Sequence, residues 1–167
     1  MVSFTVAGAA LLAVLAASSA SASDQPAPDC ALQTLGVGEG QTLTHYRGKV
    51  VYLDFWASWC GPCRMSFPFM NGLARDYAAR GLVVLAVNLD AHRKDAEAFL
   101  VRHPAAFGVA LGDNQACARS FRVGAMPTSF VIDRTGAVRA VHAGFRPGGS
   151  AAVRSEIERL LAEGSGA

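Results

Sequence analysis

The segment Trp59-Cys60-Gly61-Pro62-Cys63 constrains this chain more than any other, because it sits where two periodicities meet. Residues 49–55, Lys-Val-Val-Tyr-Leu-Asp-Phe, are β-branched and apolar on both alternating faces, which predicts a central buried strand. From 61 to 80 helix formers follow, with Met65, Phe69, Leu73 and Tyr77 at i, i+4, i+8 and i+12. That spacing predicts a helix with Pro62 in its first turn and a kink at Pro68. Two cysteines therefore stand one turn apart at a helix start. Free backbone N–H groups and a partial positive charge there favour a thiolate at Cys60, the more exposed of the two, while the helix shields Cys63.

Two thiols so placed are suited to thiol-disulfide exchange. Cys60 attacks a substrate disulfide, and Cys63 then attacks the mixed disulfide and releases the reduced substrate. Pro62 holds the first turn without needing an N–H partner, and Gly61 leaves room for a substrate backbone. The competing readings are half a zinc site or a purely structural bond. Zinc needs two more ligands, and Cys30, Cys117, His45, His92, His103 and His142 show no second paired spacing, so no metal or other cofactor is expected. A bond across one turn would constrain almost nothing.

The rest of the chain supports a mixed sheet. Residues 31–35 and 41–43 flank the Gly36-Val37-Gly38-Glu39-Gly40 turn as a small hairpin. A second buried strand is predicted over 82–89, a helix over 94–102 with Ala96, Phe99 and Leu100 inward, and a short strand over 109–111. Asp113 is a candidate cap for a helix over 114–121. Strands over 128–132 and 137–142 join through Asp133-Arg134-Thr135-Gly136 as an antiparallel pair. Ser150 is expected to cap a final helix with Val153, Ile157, Leu160 and Leu161 on one face and Gly164 past its end. Alternating strands and helices that close with a hairpin and a helix imply α/β architecture covered on both faces. No internal repeat is visible.

Nothing before Asp24 is charged, and residues 6–17 are an apolar stretch followed by Ser18-Ser19-Ala20-Ser21-Ala22-Ser23. Ala20-Ser21-Ala22 fits a cleavage site, so residues 1–22 read as a secretory signal peptide, although Met1-Val2-Ser3-Phe4-Thr5 has no Lys or Arg. An uncleaved membrane anchor is the alternative. Either way the folded part is expected outside the cytoplasm, with a tether over 23–29, one domain over 30–164 and a tail over 165–167. At about 140 to 145 residues it is one domain in size. At 51% hydrophobic and 17% charged it can bury a core, which excludes disordered and disulfide-scaffold classes. The net charge of +2 without a basic run makes nucleic acid an unexpected partner.

Leu53-Asp54-Phe55-Trp56-Ala57-Ser58-Trp59-Cys60-Gly61-Pro62-Cys63 resembles the thioredoxin active-site segment, and Ala125-Met126-Pro127-Thr128 resembles its cis-proline loop. The similarity runs from about Val50 to Leu161 and includes Pro68 and Gly144. The exported start, the hairpin before the sheet and the insertion after Asn88-Leu89-Asp90 are more like the TlpA and ResA branch. The resemblance implies a thioredoxin-like fold with an N-terminal hairpin and a central insertion. It also implies a periplasmic thiol-disulfide oxidoreductase, acting on exported disulfide-containing proteins and kept reduced by a membrane thiol donor. Some members of the branch serve cytochrome c maturation or oxidase copper-site assembly.

Asp54 is the informative polar residue. A carboxylate on a buried strand is costly to ionise, so its pKa is expected to rise, enabling proton trade with Cys63 directly or through a water. The resemblance implies that role; the competing reading is a strand-edge Asp paired with Arg or solvent. Thioredoxins commonly place a Lys on the next strand, where this chain has Leu85-Ala86-Val87. The resemblance further implies a cis bond at Pro127, with the Met126 backbone pairing to an extended substrate segment. Trp59 is expected beside the dithiol, and Trp56 either beside it or in ordinary core. His92 and Arg93 read as a solvated helix start or a partner-facing pair. In the ResA group a functional Glu lies near here, where this chain reads Asp90-Ala91.

The leading reading is a protein-disulfide reductase. The same site could oxidise or isomerise with a different partner supply, and the distant alternative is a Cu(I) metallochaperone, which a proline beside the dithiol would crowd. Cys30 and Cys117 have no place in exchange. In an oxidising compartment they are expected to form a second disulfide, with two free thiols as the alternative.

Overall fold

The structure, a computed structural model, describes residues 25–32, 41–111 and 114–163. The expected signal peptide, the Gly36 to Gly40 turn, the Asp113 cap and Gly164 lie outside the described residues. In chain order the elements are β1 (Gln25–Pro26), β2 (Ala31–Leu32), β3 (Gln41–Thr42), β4 (Val50–Trp56), α1 (Gly61–Tyr77), β5 (Leu82–Asn88), α2 (Arg93–Arg102), β6 (Gly108–Ala110), α3 (Gln115–Ser120), β7 (Thr128–Ile132), β8 (Ala137–Ala143) and α4 (Ser150–Glu163). The main sheet has the order β1-β8-β7-β4-β5-β6, with β2 and β3 forming a separate antiparallel pair. β4 runs parallel to β5 and antiparallel to β7, so the strand expected at the centre is there. α2 and β6 occupy the stretch after Asn88-Leu89-Asp90 where the insertion is expected.

All residues of β4 are buried, and their alternation supplies two cores. Tyr52 and Trp56 face the layer of α1, α2 and α4, where Phe67, Met70, Leu73, Phe99, Val153 and Ile157 pack in one cluster. Val51, Leu53 and Phe55 face the opposite layer, where Leu32, Leu43, Cys117 and Phe121 close the other side. Burying a Leu, Phe or Ile side chain stabilises by about 1.5–3 kcal/mol, so a strand feeding both faces anchors the fold.

Five local expectations change. α1 does not bury Met65, which is exposed; its buried residues include Cys63, Phe67, Met70, Leu73 and Tyr77. Residues four apart advance about 40° around a helix, so a pure i+4 series spirals off the core, whereas mixed steps of three and four stay on it. The helix continues through exposed Pro68 and ends in a 3-10 turn, Ala78–Arg80. Ser150 is no cap: the 3-10 turn Pro147–Gly149 runs straight into α4, and the Ser150 hydroxyl donates to the Pro147 carbonyl at 2.6 Å. Asn114 precedes α3 without capping it; its amide donates instead to the carbonyls of Asn88 (3.1 Å) and Ala110 (3.3 Å). The expected tether contains β1, which pairs with β8 through Gln25↔Val138 and Pro26↔Ala137. A short edge strand with a proline is compatible with that position.

Candidate active site

β4 ends at Trp56, and four residues later α1 begins, with Cys60 as its N-cap. The Cys60 backbone is extended (φ −79°, ψ 107°), and its sulfur accepts the Cys63 N–H at 3.2 Å. An otherwise orphaned helix N–H thus points at the sulfur, and the first turn holds no acidic residue to oppose a thiolate. Cys60 and Cys63 are joined in the structure, 5.3 Å apart at Cα. Cys60 is only 5% exposed, still more open than Cys63 at 0%. Beside them Trp59 is 71% exposed. Gly61 and Pro62 are exposed, and a Cβ at Gly61 would meet nothing within 4 Å, so the approach to the dithiol is open.

β7 brings the second half. Phe55 pairs with Thr128, which sets the Met126-Pro127 segment level with the end of β4, where the dithiol loop starts. The Met126-Pro127 peptide bond is cis, with Pro127 buried and Met126 half-buried. The Pro127 carbonyl accepts the N–H of Gly144 at 2.7 Å. Gly144 has φ +78° with open space around it, so its backbone conformation, rather than room, calls for glycine. Trp56 belongs to the core: it is fully buried, with ring centroids 4.9 Å from Phe67 and from Phe99.

Asp54 lies on the central strand, on the face toward α1, 1% exposed, and its Oδ2 is buried with no hydrogen-bond partner. The strand-edge reading is therefore ruled out. Burial pushes its carboxyl pKa well above the ordinary carboxylate range. Directly across on β5 stands Ala86, so no cation offsets that shift from this side. Tyr52 is also pushed up, first by burial and next by the charge of Asp54, while a hydrogen bond with Ser129 opposes the shift.

Sequence reasoning missed one arrangement. The Asp90 carboxylate accepts the Ser58 N–H at 2.9 Å, the Ser58 hydroxyl at 2.9 Å and the Asn88 amide at 2.7 Å. These bonds tie the loop before Cys60 to the end of β5, where Leu89 N–H also donates to the Trp56 carbonyl. The short polar run Asn88-Leu89-Asp90 after a buried strand was the available signal. His92 and Arg93 are exposed at the start of α2, and Arg93 pairs with Glu97 on the same helix at 2.8 Å, which suits a solvated helix start. Far from the dithiol in sequence, Cys30 and Cys117 are joined, 5.3 Å apart at Cα, linking the segment between β1 and β2 to α3.

Comparison with known proteins agrees with this geometry. The Redoxin family model matches residues 22–161. The chain is 37% identical over 118 residues to thiol-disulfide oxidoreductase ResA of Geobacillus thermodenitrificans, covering 71% of this chain and 67% of the relative. It is 35% identical over 135 residues to the ResA of Geobacillus kaustophilus, covering 81% and 74%. A crystal structure from Chlorobium tepidum, described as the thiol:disulfide interchange protein DsbE, superposes with TM-score 0.78 at 48% identity, over 83% of this chain and 97% of that one. The chain belongs to the Redoxin family and is a thioredoxin-fold thiol-disulfide oxidoreductase of the ResA type, with Cys60 and Cys63 as its CxxC pair.

Proposed function

We propose that this protein is an extracytoplasmic protein-disulfide reductase. Cys60 attacks the substrate disulfide, and Cys63 resolves the mixed disulfide. The observation that carries this reading is the Cys63 N–H aimed at the Cys60 sulfur at 3.2 Å, with Cys63 wholly buried behind it. A sulfur at a helix N-terminus is the better nucleophile near neutral pH and the better leaving group, and a buried partner reacts only once Cys60 has captured a substrate. Asp54 exchanges a proton with Cys63. Trp59, Gly61, Pro62, Met126 and Pro127 contact the substrate polypeptide, whose extended backbone pairs with Met126.

Residues 1–22 direct export, as a cleaved signal or as an anchor; among the described residues no helix is long and apolar enough to cross a membrane. The substrates are exported proteins that must present free thiols, with cytochrome c and oxidase copper-site maturation as the first to test, and a membrane thiol donor returns the dithiol to its reduced form. Two measurements test the reading. With Cys63→Ser, the mixed disulfide on Cys60 accumulates and the captured partner is identified by mass. For the wild type, a reductase is expected to sit nearer the roughly −270 mV of thioredoxin than the roughly −120 mV of the oxidant DsbA. A potential near the latter would make it an oxidase.

A further inference from the structure

Asp54, Ser129 and His142 form a polar row across three strands. Asp54 on β4 pairs with Ser129 on β7, and Ser129 pairs with His142 on β8. Side chains in register share a face, and cross-strand neighbours have Cβ atoms about 4.5–5.5 Å apart. The row therefore lies on the face covered by α1 and α4, where the Tyr52 hydroxyl shares a hydrogen bond with Ser129. At its two ends are two orphaned atoms, Asp54 Oδ2 and His142 Nε2, each buried without a hydrogen-bond partner. A cavity of about 640 Å³ opens beside Pro62, and Tyr52, Ser129 and His142 line it. Its lining mixes polar groups with apolar ones such as Val141, Phe145 and Val153, and it is far larger than a water needs. On the other side of Asp54, β5 offers the methyl group of Ala86.

We propose that Ser129 and His142, with water in the Pro62 cavity, are the route by which Asp54 exchanges its proton with solvent. The inference rests on the reading of Asp54 as the proton acceptor of Cys63. In the resolving step the Cys63 S–H bond breaks, its proton bonds to Asp54, and the electron pair stays on sulfur. That thiolate attacks the Cys60 sulfur, and the Cys60-substrate S–S bond breaks with its electron pair leaving on the substrate sulfur, which takes a proton from solvent. The dithiol has lost two electrons and the substrate disulfide has gained them. Asp54 now holds a proton, which either returns to the Cys63 thiolate when the donor re-reduces the pair or leaves to solvent, and the route serves the second of these. The Ser129 hydroxyl and cavity water pass it to His142, whose imidazole accepts at one nitrogen and donates from the other. Burial lowers the His142 pKa, opposed by Glu156 of α4, so the ring is held toward its neutral, accepting form. The other titratable or charged groups facing the row are Tyr52 on β4 and Arg146, which lines the cavity.

The test is steady-state insulin reduction by the full protein with dithiothreitol as donor, from pH 5 to 9, in H2O and D2O. His142→Ala is expected to lower turnover about 10-fold, to shift the pH profile and to enlarge the D2O effect. Added imidazole, entering the cavity, is expected to restore the rate. Ser129→Ala is expected to behave alike without imidazole rescue, and an unchanged thermal midpoint confirms that each variant folds. If Asp54→Asn slows turnover while His142→Ala and Ser129→Ala keep the wild-type rate and profile, the route is wrong and the reading of Asp54 stands. If Asp54→Asn is also neutral, both fall. Loss in His142→Ala without rescue or pH shift marks a structural histidine and overturns the proposal.

Discussion

Cys60 and Cys63 on one side, and Cys30 and Cys117 on the other, are each 5.3 Å apart at Cα, yet three residues separate the first pair and 87 the second. Exposure does not explain a difference in chemistry. Cys60 is 5% exposed and Cys117 3%, while Cys30 is the half-buried member of the four. What differs is the setting. Cys60 caps a helix and receives one of its free N–H groups, whereas Cys117 lies inside α3 with its backbone carbonyl accepting from Ser120 and Phe121. The short link constrains almost no chain entropy and can open and close at little cost to the fold. The long one closes most of the domain. A cysteine pair is made reactive by its electrostatics and its loop, not by its bond.

The largest expected effect lies on the reactive side: Cys60→Ser is predicted to lower insulin reduction by about 1000-fold or more, as loss of a nucleophile does elsewhere. Cys30→Ser together with Cys117→Ser is predicted to leave that activity within a few-fold; an equal loss would erase the contrast between the pairs. The double variant is instead expected to lose about 2–4 kcal/mol in urea unfolding, because it frees a long loop in the denatured chain. The same contrast is read by thiol counting in denaturant after mild reduction. Two thiols are expected first, from Cys60 and Cys63, with the second pair resisting; four released together would count against a structural role for Cys30 and Cys117.

Smaller effects sharpen what surrounds the reactive pair. Removing the Asp90 carboxylate in Asp90→Ala leaves the Ser58 N–H and the Asn88 amide short of an acceptor, and is expected to cost about 1–3 kcal/mol. Because the clamp holds the loop before Cys60, the variant should also lower activity, while its Cys30 to Cys117 bond keeps its resistance.

Asp54→Asn is expected to slow resolution and flatten its pH dependence, yet to stabilise the fold at neutral pH. The sign follows from its raised pKa: between the ordinary Asp value and its own, the folded state binds the extra proton, so Asp54 lowers stability progressively as pH rises. The gain of the variant over wild type should therefore be absent below about pH 4, where an unfolded Asp is protonated, and grow above it until the folded carboxyl ionises. A difference independent of pH would mean that Asp54 is not strained by burial.

How much of this was legible beforehand depended on the range of the interaction. β4 was legible because a run of β-branched and apolar residues on both faces has no stable place except the middle of a covered sheet. The dithiol at a helix start was legible because the motif, the strand and Pro62 are contiguous. The face of α1 was misread, since sequence spacing records which residues are apolar and leaves open which side the sheet approaches. Asp90 escaped notice because its partners Ser58 and Asn88 flank it from two separate strand ends.

The sequence by itself determined the chemistry: a strand-to-helix junction carrying two thiols, a proline loop and a carboxylate on the buried strand. Tertiary structure alone decided their company. It set Asp54 opposite Ala86 and in line with Ser129 and His142, brought Pro127 level with the end of β4, and drew Cys30 to Cys117. The reason is physical. Helix starts and buried strands are specified by local periodicity and backbone hydrogen bonding, whereas strand order and register arise only when both faces of the sheet are buried at once, and one residue of slip would turn every side chain of a strand to the wrong face.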